Sequence, residues 1–257
     1  MQHAVQAIRD LGQRLFAAPQ RSRDSELLDA ASHDPAELAA NFRDIQRVNH
    51  LLGGTSTILR HLPHLIDHLP KTQPITILDL ATGSADIPIA ISHWAKQRDL
   101  DIQLVASDCA DDILALARIQ TSGHPAITLA KYDARNVPLL DDSFDIVLCS
   151  LSLHHFSPDE AVKVLREMHR LARCGFILND LRRSQPGYVA AWIAAHLTTR
   201  NRLTRNDAPL SVLRAYTPDE LHDLLHRAGI YNATISTNPW FRMAAISIAP
   251  DDSAVGD

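Results

Sequence analysis

The hydrophobic rhythm of the chain changes near residue 70. Before that point, apolar residues recur at three- and four-residue spacing. Val5, Ile8, Leu11, Leu15 and Phe16 form one set, Leu38, Phe42, Ile45 and Val48 a second, and Ile58, Leu62, Leu65 and Ile66 a third. Such spacing places each set on one face of a helix. The polar stretch from Pro19 to Glu26 separates the first two sets, and Gly53-Gly54 separates the last two. Asp34 ahead of Pro35 reads as an N-cap with proline at the first helical position. Residues 1–70 are therefore expected to form a helical cap or lid, with too little apolar surface for a core of their own.

From Gln73 the grammar is different. Ile75–Leu80, Ile102–Ala106, Ala126–Ala130, Phe144–Ser150 and Gly175–Leu181 are short apolar runs, the profile of parallel strands covered on both faces. Helical patterns lie between them: Ile87 to Trp94, Asp112 to Ile119, and Pro158 to Ala172. Thr217 to Ala228 is a further helix, opened by a Thr217/Glu220 capping box. Tyr231–Thr237 and Phe241–Ala249 end the pattern, joined only by Asn238-Pro239-Trp240. That joint is too short for a crossover helix and predicts an antiparallel hairpin. The fold class is α/β: a Rossmann-like, seven-stranded, mostly parallel sheet over 71–250, with helices on both faces. Residues 182–215 interrupt it as an arginine-rich helical insertion, and 251–257 read as a flexible tail.

Composition narrows the function classes. With 46% hydrophobic and 21% charged residues, the chain has the balance of a soluble domain. A net charge of −5 argues against nucleic acid held by bulk charge. Cys109, Cys149 and Cys174 are odd in number and far apart, which suits a reducing, cytoplasmic setting. No apolar run is long enough to span a membrane. His61, His64 and His68 share helical spacing but enclose Pro63, and His222-Asp-Leu-Leu-His226 lacks the glutamate of a zinc protease, so no metal is expected.

Candidate chemistry gathers at successive strand ends. Ile77-Leu-Asp-Leu-Ala-Thr-Gly-Ser-Ala-Asp-Ile-Pro88 joins a buried strand to a helix through small residues, which lets backbone approach a ligand closely. Only Gly83 stands where a dinucleotide fingerprint needs three glycines, and Ala81 and Ala85 flank it. That weakens the competing reading, a nucleotide-dependent oxidoreductase. Asp108 ends the second strand, 25 residues past Gly83, where a carboxylate can accept both hydroxyls of a ribose. Asp133-Ala134 follows the third strand.

These residues resemble the class I S-adenosylmethionine-dependent methyltransferases, in the style of the ubiquinone/menaquinone C-methyltransferases, over about 73–249. The resemblance implies S-adenosyl-L-methionine as cofactor and S-adenosyl-L-homocysteine as product. It implies that Asp79, Ala81, Thr82, Gly83 and Ser84 hold the aminoacyl part. Asp108 and Cys109 would meet the ribose, Asp133 and Ala134 the adenine, and Ser150 and Leu151 the sulfonium side. A compact cation suits a cleft lined with carboxylates better than a nest built for anions.

Ser150-Leu-Ser-Leu-His-His-Phe156 follows the fourth strand, where an acceptor would approach the methyl group. An imidazole there can deprotonate a phenol or an enolisable carbon, with His155 the preferred base and His154 the second. In the insertion, Arg182, Arg202, Arg205 and Arg214 are expected either to clamp an anionic group of the substrate or to pair with Asp180, Asp207 and Asp219. Tyr188 and Trp192 would add aromatic walls. The expectation is a methyltransferase for a small, fairly apolar acceptor of phenolic, quinone-like or polyketide type. Oxygen is slightly favoured over carbon as the target, and a non-catalytic S-adenosylmethionine-binding protein is the non-enzymatic alternative. Its partner would be the small acceptor, with no nucleic acid, and a homodimer is compatible with the sequence.

Overall fold

The computed structural model describes residues 18–67, 69 and 73–249; the helical pattern from Val5 to Phe16, His68 and the tail 251–257 lie outside the described residues. Two helices come first, α1 (Pro35–Leu51) and α2 (Gly54–Ile66). The alternating region follows as β1 (Ile75–Leu80), α3 (Asp86–Lys96), β2 (Ile102–Asp108), α4 (Asp111–Gln120), β3 (Ile127–Lys131), β4 (Phe144–Ser150), α5 (Pro158–Leu171) and β5 (Ala172–Leu181). The insertion is α6 (Gln185–Thr198) and α7 (Arg202–Arg214), and α8 (Pro218–Ala228), β6 (Thr234–Asn238) and β7 (Arg242–Ile248) complete the order.

The sheet order is β3-β2-β1-β4-β5-β7-β6. Neighbours among β1 to β5 run parallel, while β7 runs antiparallel to both β5 and β6. The last pair is the expected hairpin. The strand order reverses between the parallel neighbours β1 and β4, leaving a crevice at their carboxyl ends where α/β sheets take ligands.

Side chains alternate across the sheet and divide the core in two. Ile77, Ile146, Leu148 and Ile177 face Ile58 and Leu62 of α2 and Ile91 of α3. Leu78, Leu80, Val147 and Phe176 face Leu165 and Met168 of α5 and Leu221 of α8. This two-sided burial explains why the strands read as continuous apolar runs rather than as alternating ones.

Caps fix where the helices begin. Asp34 accepts from the Ala36 and Glu37 N–H groups ahead of α1. Ser157 with Glu160, and Thr217 with Glu220, close capping boxes on α5 and α8. α8 ends at Gly229, left-handed at φ +86°, after which Ile230 turns back into the core. The strand expected from Tyr231 therefore starts three residues later, because that turn is still being completed.

α1 is tied to the insertion. Thr204 of α7 donates to Asp44 at 2.9 Å and accepts from Asn41 at 3.1 Å. The two elements make one cover over the carboxyl edge of the sheet.

Candidate active site

The β1–α3 turn builds the first half of the site. Thr82 N–H donates to the Ser107 carbonyl at the end of β2, and the Ser107 hydroxyl donates to the Asp79 carbonyl, so the two strand ends are locked together. One Asp79 oxygen accepts from the Thr82 hydroxyl at 2.6 Å; the other, Oδ1, is buried without a hydrogen-bond partner among the described residues. Burial, with Asp86 and Asp108 nearby, pushes the Asp79 carboxyl up to about 7. Asp108 accepts from the backbone N–H groups of Gly83 and Ala110, each at 3.1 Å. Burial raises its pKa, and those donors partly offset the rise.

Gly83 is left-handed at φ +57°, and so are the flanking Ala81 at φ +53° and Ala85 at φ +62°. The backbone therefore keeps the geometry of a three-glycine turn with alanine at two of its positions. α1 lies on top of this turn. Phe42 packs against Gly83, Gln46 donates to the Ser84 hydroxyl at 3.0 Å, and Asn49 donates to Asp86 at 2.9 Å. On its other side Asn49 accepts from the Arg242 guanidinium at 3.2 Å. Burial lowers the pKa of Arg242 to about 10.

The second half of the site lies beyond β4. Leu151 is left-handed at φ +52°, with its N–H on the Asn179 carbonyl, and the Asn179 side chain donates to the Ser150 hydroxyl at 2.9 Å. The chain then makes one 3-10 turn, Leu153–His155. His154 is buried, with Nδ1 2.7 Å from Asp180 Oδ1, while its own N–H donates to Asp180 Oδ2. Burial alone would raise the pKa of Asp180, but His154 and two backbone donors hold it below the ordinary value. His155 is partly exposed, with Nδ1 2.7 Å from Asp29 Oδ1. Asp29 also takes Arg214 at 2.5 Å, and these bonds hold its carboxyl well below the usual range against the opposing effect of burial.

Between the imidazoles stands Glu26. Its two oxygens lie 3.7 Å from His154 Nε2 and 3.8 Å from His155 Nε2. Burial pushes this carboxyl up to about 7. Arg21 crosses behind the cluster, donating to the carbonyls of His154, Phe156 and Arg214.

Residues 77–175 match the family described as the methyltransferase domain. Over that segment the chain is similar to a methyltransferase domain. Among curated proteins it is similar to a demethylmenaquinone methyltransferase of Staphylococcus epidermidis, 33% identical over 123 residues, or 48% of this chain and 49% of that one. It is also similar to a ubiquinone/menaquinone biosynthesis C-methyltransferase of Rickettsia peacockii, 29% identical over 140 residues and 51% of each chain. The chain spans about half the length of the curated relatives it matches. A solved SAM-dependent methyltransferase from Aquifex aeolicus shares the fold at a TM-score of 0.58 and 16% identity, covering 84% of this chain and 99% of its own.

S-adenosylmethionine is the cofactor that this similarity points to, and the residues of the site fit it. The buried oxygens Asp79 Oδ1 and Asn179 Oδ1 have no partner among the described residues, so they offer lone pairs to a ligand bearing ammonium and sulfonium charge. Asp108, oriented by two backbone donors, keeps acceptor capacity for ribose hydroxyls. Ala81, Thr82, Gly83 and Ser84 would wrap the aminoacyl end, and Cys109 is exposed beside Asp108. Asp133 is different: Arg135 forks both of its oxygens, so an adenine amino group would share that carboxylate with a guanidinium. The Ala134 N–H beside it remains a candidate for the ring.

The insertion arginines do not share one set of partners. Arg202 pairs with Glu37 at the surface, Arg205 donates to the Thr199 and His196 carbonyls, and Arg214 binds Asp29 and the His155 carbonyl. The carboxylates that pair with Arg202 and Arg214 are Glu37 and Asp29 rather than Asp180, Asp207 or Asp219. Asp180 holds His154, and Asp207 accepts from the Leu27 and Leu28 N–H groups. Arg182 Nε is buried without a partner among the described residues. Trp192 stacks on His196 and stays about half exposed, and Tyr188 lies one turn before it on α6. Glu26, Asp29, Phe42 and Asn49 are site residues that the sequence did not single out. Each acts across more than 30 positions of chain, a distance over which no local motif signals a partner.

Proposed function

We propose that the chain transfers the methyl group of S-adenosylmethionine to an oxygen of a small, fairly apolar acceptor of phenolic, quinone-like or polyketide type. The observation that carries this reading is the pairing of a carboxylate-lined cofactor turn at β1 and β2 with an oriented imidazole, His155, beyond β4. The cofactor, when bound, supplies the methyl group on a positive sulfonium.

The protein aligns and covers. Asp79 and Asp108 would grip the two ends of the cofactor, and Ser150 and Leu151 would flank the sulfur. Phe42 and the α1–α7 cover would keep water from the reacting atoms. Asp29 holds one side of the His155 ring, so Nε2 is the atom left for the acceptor, and His155 assists removal of its proton. Much of the rate would come from in-line alignment of nucleophile, methyl and sulfur. Tyr188, Trp192 and Arg182 would shape the acceptor side. Carbon is the second reading, favoured by the similarity to the Rickettsia C-methyltransferase.

Incubation with methyl-labelled S-adenosylmethionine and a panel of phenols and hydroquinones tests this. The expected product carries one O-methyl group by NMR. A C-methyl product would support the second reading, and no transfer to any acceptor, with the cofactor bound, would favour a binding protein. His155→Gln should lower kcat at least 100-fold while S-adenosylhomocysteine affinity stays within threefold.

A further inference from the structure

The Glu26 cluster has an unusual lone-pair arrangement. Both imidazoles have Nδ1 at 2.7 Å from a carboxylate, Asp180 for His154 and Asp29 for His155. Each Nδ1 therefore carries a proton, and in the neutral imidazole each Nε2 presents a lone pair. Both Nε2 atoms face Glu26, whose Oε1 is buried and has no hydrogen-bond partner among the described residues. Three acceptor atoms thus converge within 4.8 Å of one another with no donor among them. Arg214 Nε is 3.8 Å from Glu26 Oε1, too long for a hydrogen bond, and its guanidinium is already bonded to Asp29 and the His155 carbonyl.

We propose that Glu26, His154 and His155 bind a divalent first-row transition ion on the acceptor side of the cleft. Two imidazoles and one carboxylate are the donor set of zinc and non-haem iron sites with positions left open for a further ligand. Bonds of about 2.0–2.2 Å in a tetrahedral site put ligand atoms roughly 3.3–3.6 Å apart. The imidazoles stand 3.7 and 3.8 Å from the two Glu26 oxygens, one each, and with one oxygen as ligand all three atoms lie within 4.8 Å, so side-chain adjustment of about 1 Å or less closes the set. Asp180 and Asp29 supply the outer carboxylates that fix ring tautomer and orientation around such ions.

The charge balance points the same way. Glu26, Asp29, Asp180 and neighbouring Asp207 are four carboxylates against two guanidiniums, Arg21 and Arg214. With Glu26 ionised and the imidazoles neutral, these groups carry a negative surplus that favours a bound cation. The open side is at His155, 23% exposed where Glu26 and His154 are almost fully enclosed.

This inference rests on the acceptor reading above and changes how His155 assists there: its Nε2 would hold the ion, and the ion rather than the imidazole would meet the acceptor oxygen. An acceptor hydroxyl bound to the ion loses its proton to water more readily than a free one, leaving the oxygen as the nucleophile. It departs from the sequence expectation of no metal, because Glu26 is 128 residues from His154 and forms no spacing motif with it.

The test uses the full chain, stripped with a chelator and titrated with Zn²⁺ and, anaerobically, Co²⁺, with S-adenosylhomocysteine binding measured on the same sample. One ion per chain is expected, with visible Co²⁺ bands of a four- or five-coordinate nitrogen/oxygen site. Glu26→Gln should weaken Zn²⁺ at least 100-fold, and Asp29→Asn about 10- to 100-fold, with folding checked by circular dichroism. Less than one tenth of an ion per wild-type chain, or affinity unchanged by Glu26→Gln, overturns the inference. If S-adenosylhomocysteine still binds in that case, the methyltransferase reading stands without the ion. Loss of that ligand from a sample that holds its ion would overturn the methyltransferase reading instead.

Discussion

The ring of Phe42 occupies the space that a side chain on Gly83 would need: a Cβ there would lie 2.8 Å from Phe42 Cε1. A residue of the first helix thus closes the cofactor turn of the sheet, with only a glycine between ring and ligand space. Gly83→Ala must both hold φ +57° and displace an aromatic ring. It should destabilise the protein by about 1–3 kcal/mol and weaken S-adenosylhomocysteine binding at least tenfold. Combining it with Phe42→Ala should recover part of the loss. Additive effects in a double-mutant cycle of thermal melts would contradict the contact.

Ala81 tests the neighbouring strain. Left-handed alanine costs about 1–2 kcal/mol, and glycine gives back about 0.5–1 kcal/mol in chain entropy. Ala81→Gly, at φ +53°, should therefore raise stability by about 0.5–1 kcal/mol, or about 1–4 °C in Tm. A fall in Tm would mean that the alanine methyl makes a contact worth more than the strain.

Asp79 should make stability fall as pH rises. Its carboxyl titrates at about 7 in the folded chain against 3.8 in the unfolded one, with Thr82, Asp86 and Asp108 as the groups that face it. Between those values the folded form holds a proton that the unfolded form lacks. This group's contribution then declines with pH, by up to about 1.4 kcal/mol per unit, and levels off above about 7. Asp79→Asn should flatten that slope in cofactor-free melts from pH 5 to 8. Binding should move oppositely, since the ionised carboxylate attracts a cationic ligand: S-adenosylmethionine affinity should rise through pH 7 in the wild type and not in the variant.

The first helix and the last strand meet through Asn49, which joins Arg242 to Asp86. Asn49→Ala leaves a buried guanidinium and a buried carboxylate each short of a partner, an expected loss of about 2–4 kcal/mol. Urea denaturation checks the size; a loss under about 0.5 kcal/mol would mean that water replaces the amide.

The sheet was legible because each strand is covered on both faces, so Ile75–Leu80 and Phe144–Ser150 stand out as apolar runs. The caps at Asp34, Ser157 and Thr217 are local chemistry as well. Asp79, Gly83 and Asp108 were legible for the same reason, lying at strand ends in a fixed order. The partners of His155 were not. Asp29 sits in a polar stretch that looks like any surface loop, and its pairing with a residue 126 positions away is a product of packing alone. Glu26 reads as an exposed residue by composition and is buried because α7 and the β4 turn close over it.

Calorimetric titration of the full chain with S-adenosylmethionine, S-adenosylhomocysteine and NAD, side by side, is the most direct test of the central claim. Micromolar binding of the two sulfur ligands, weakened at least tenfold by Asp108→Ala, is the expected result. Binding of NAD alone, or of none of the three, would contradict it.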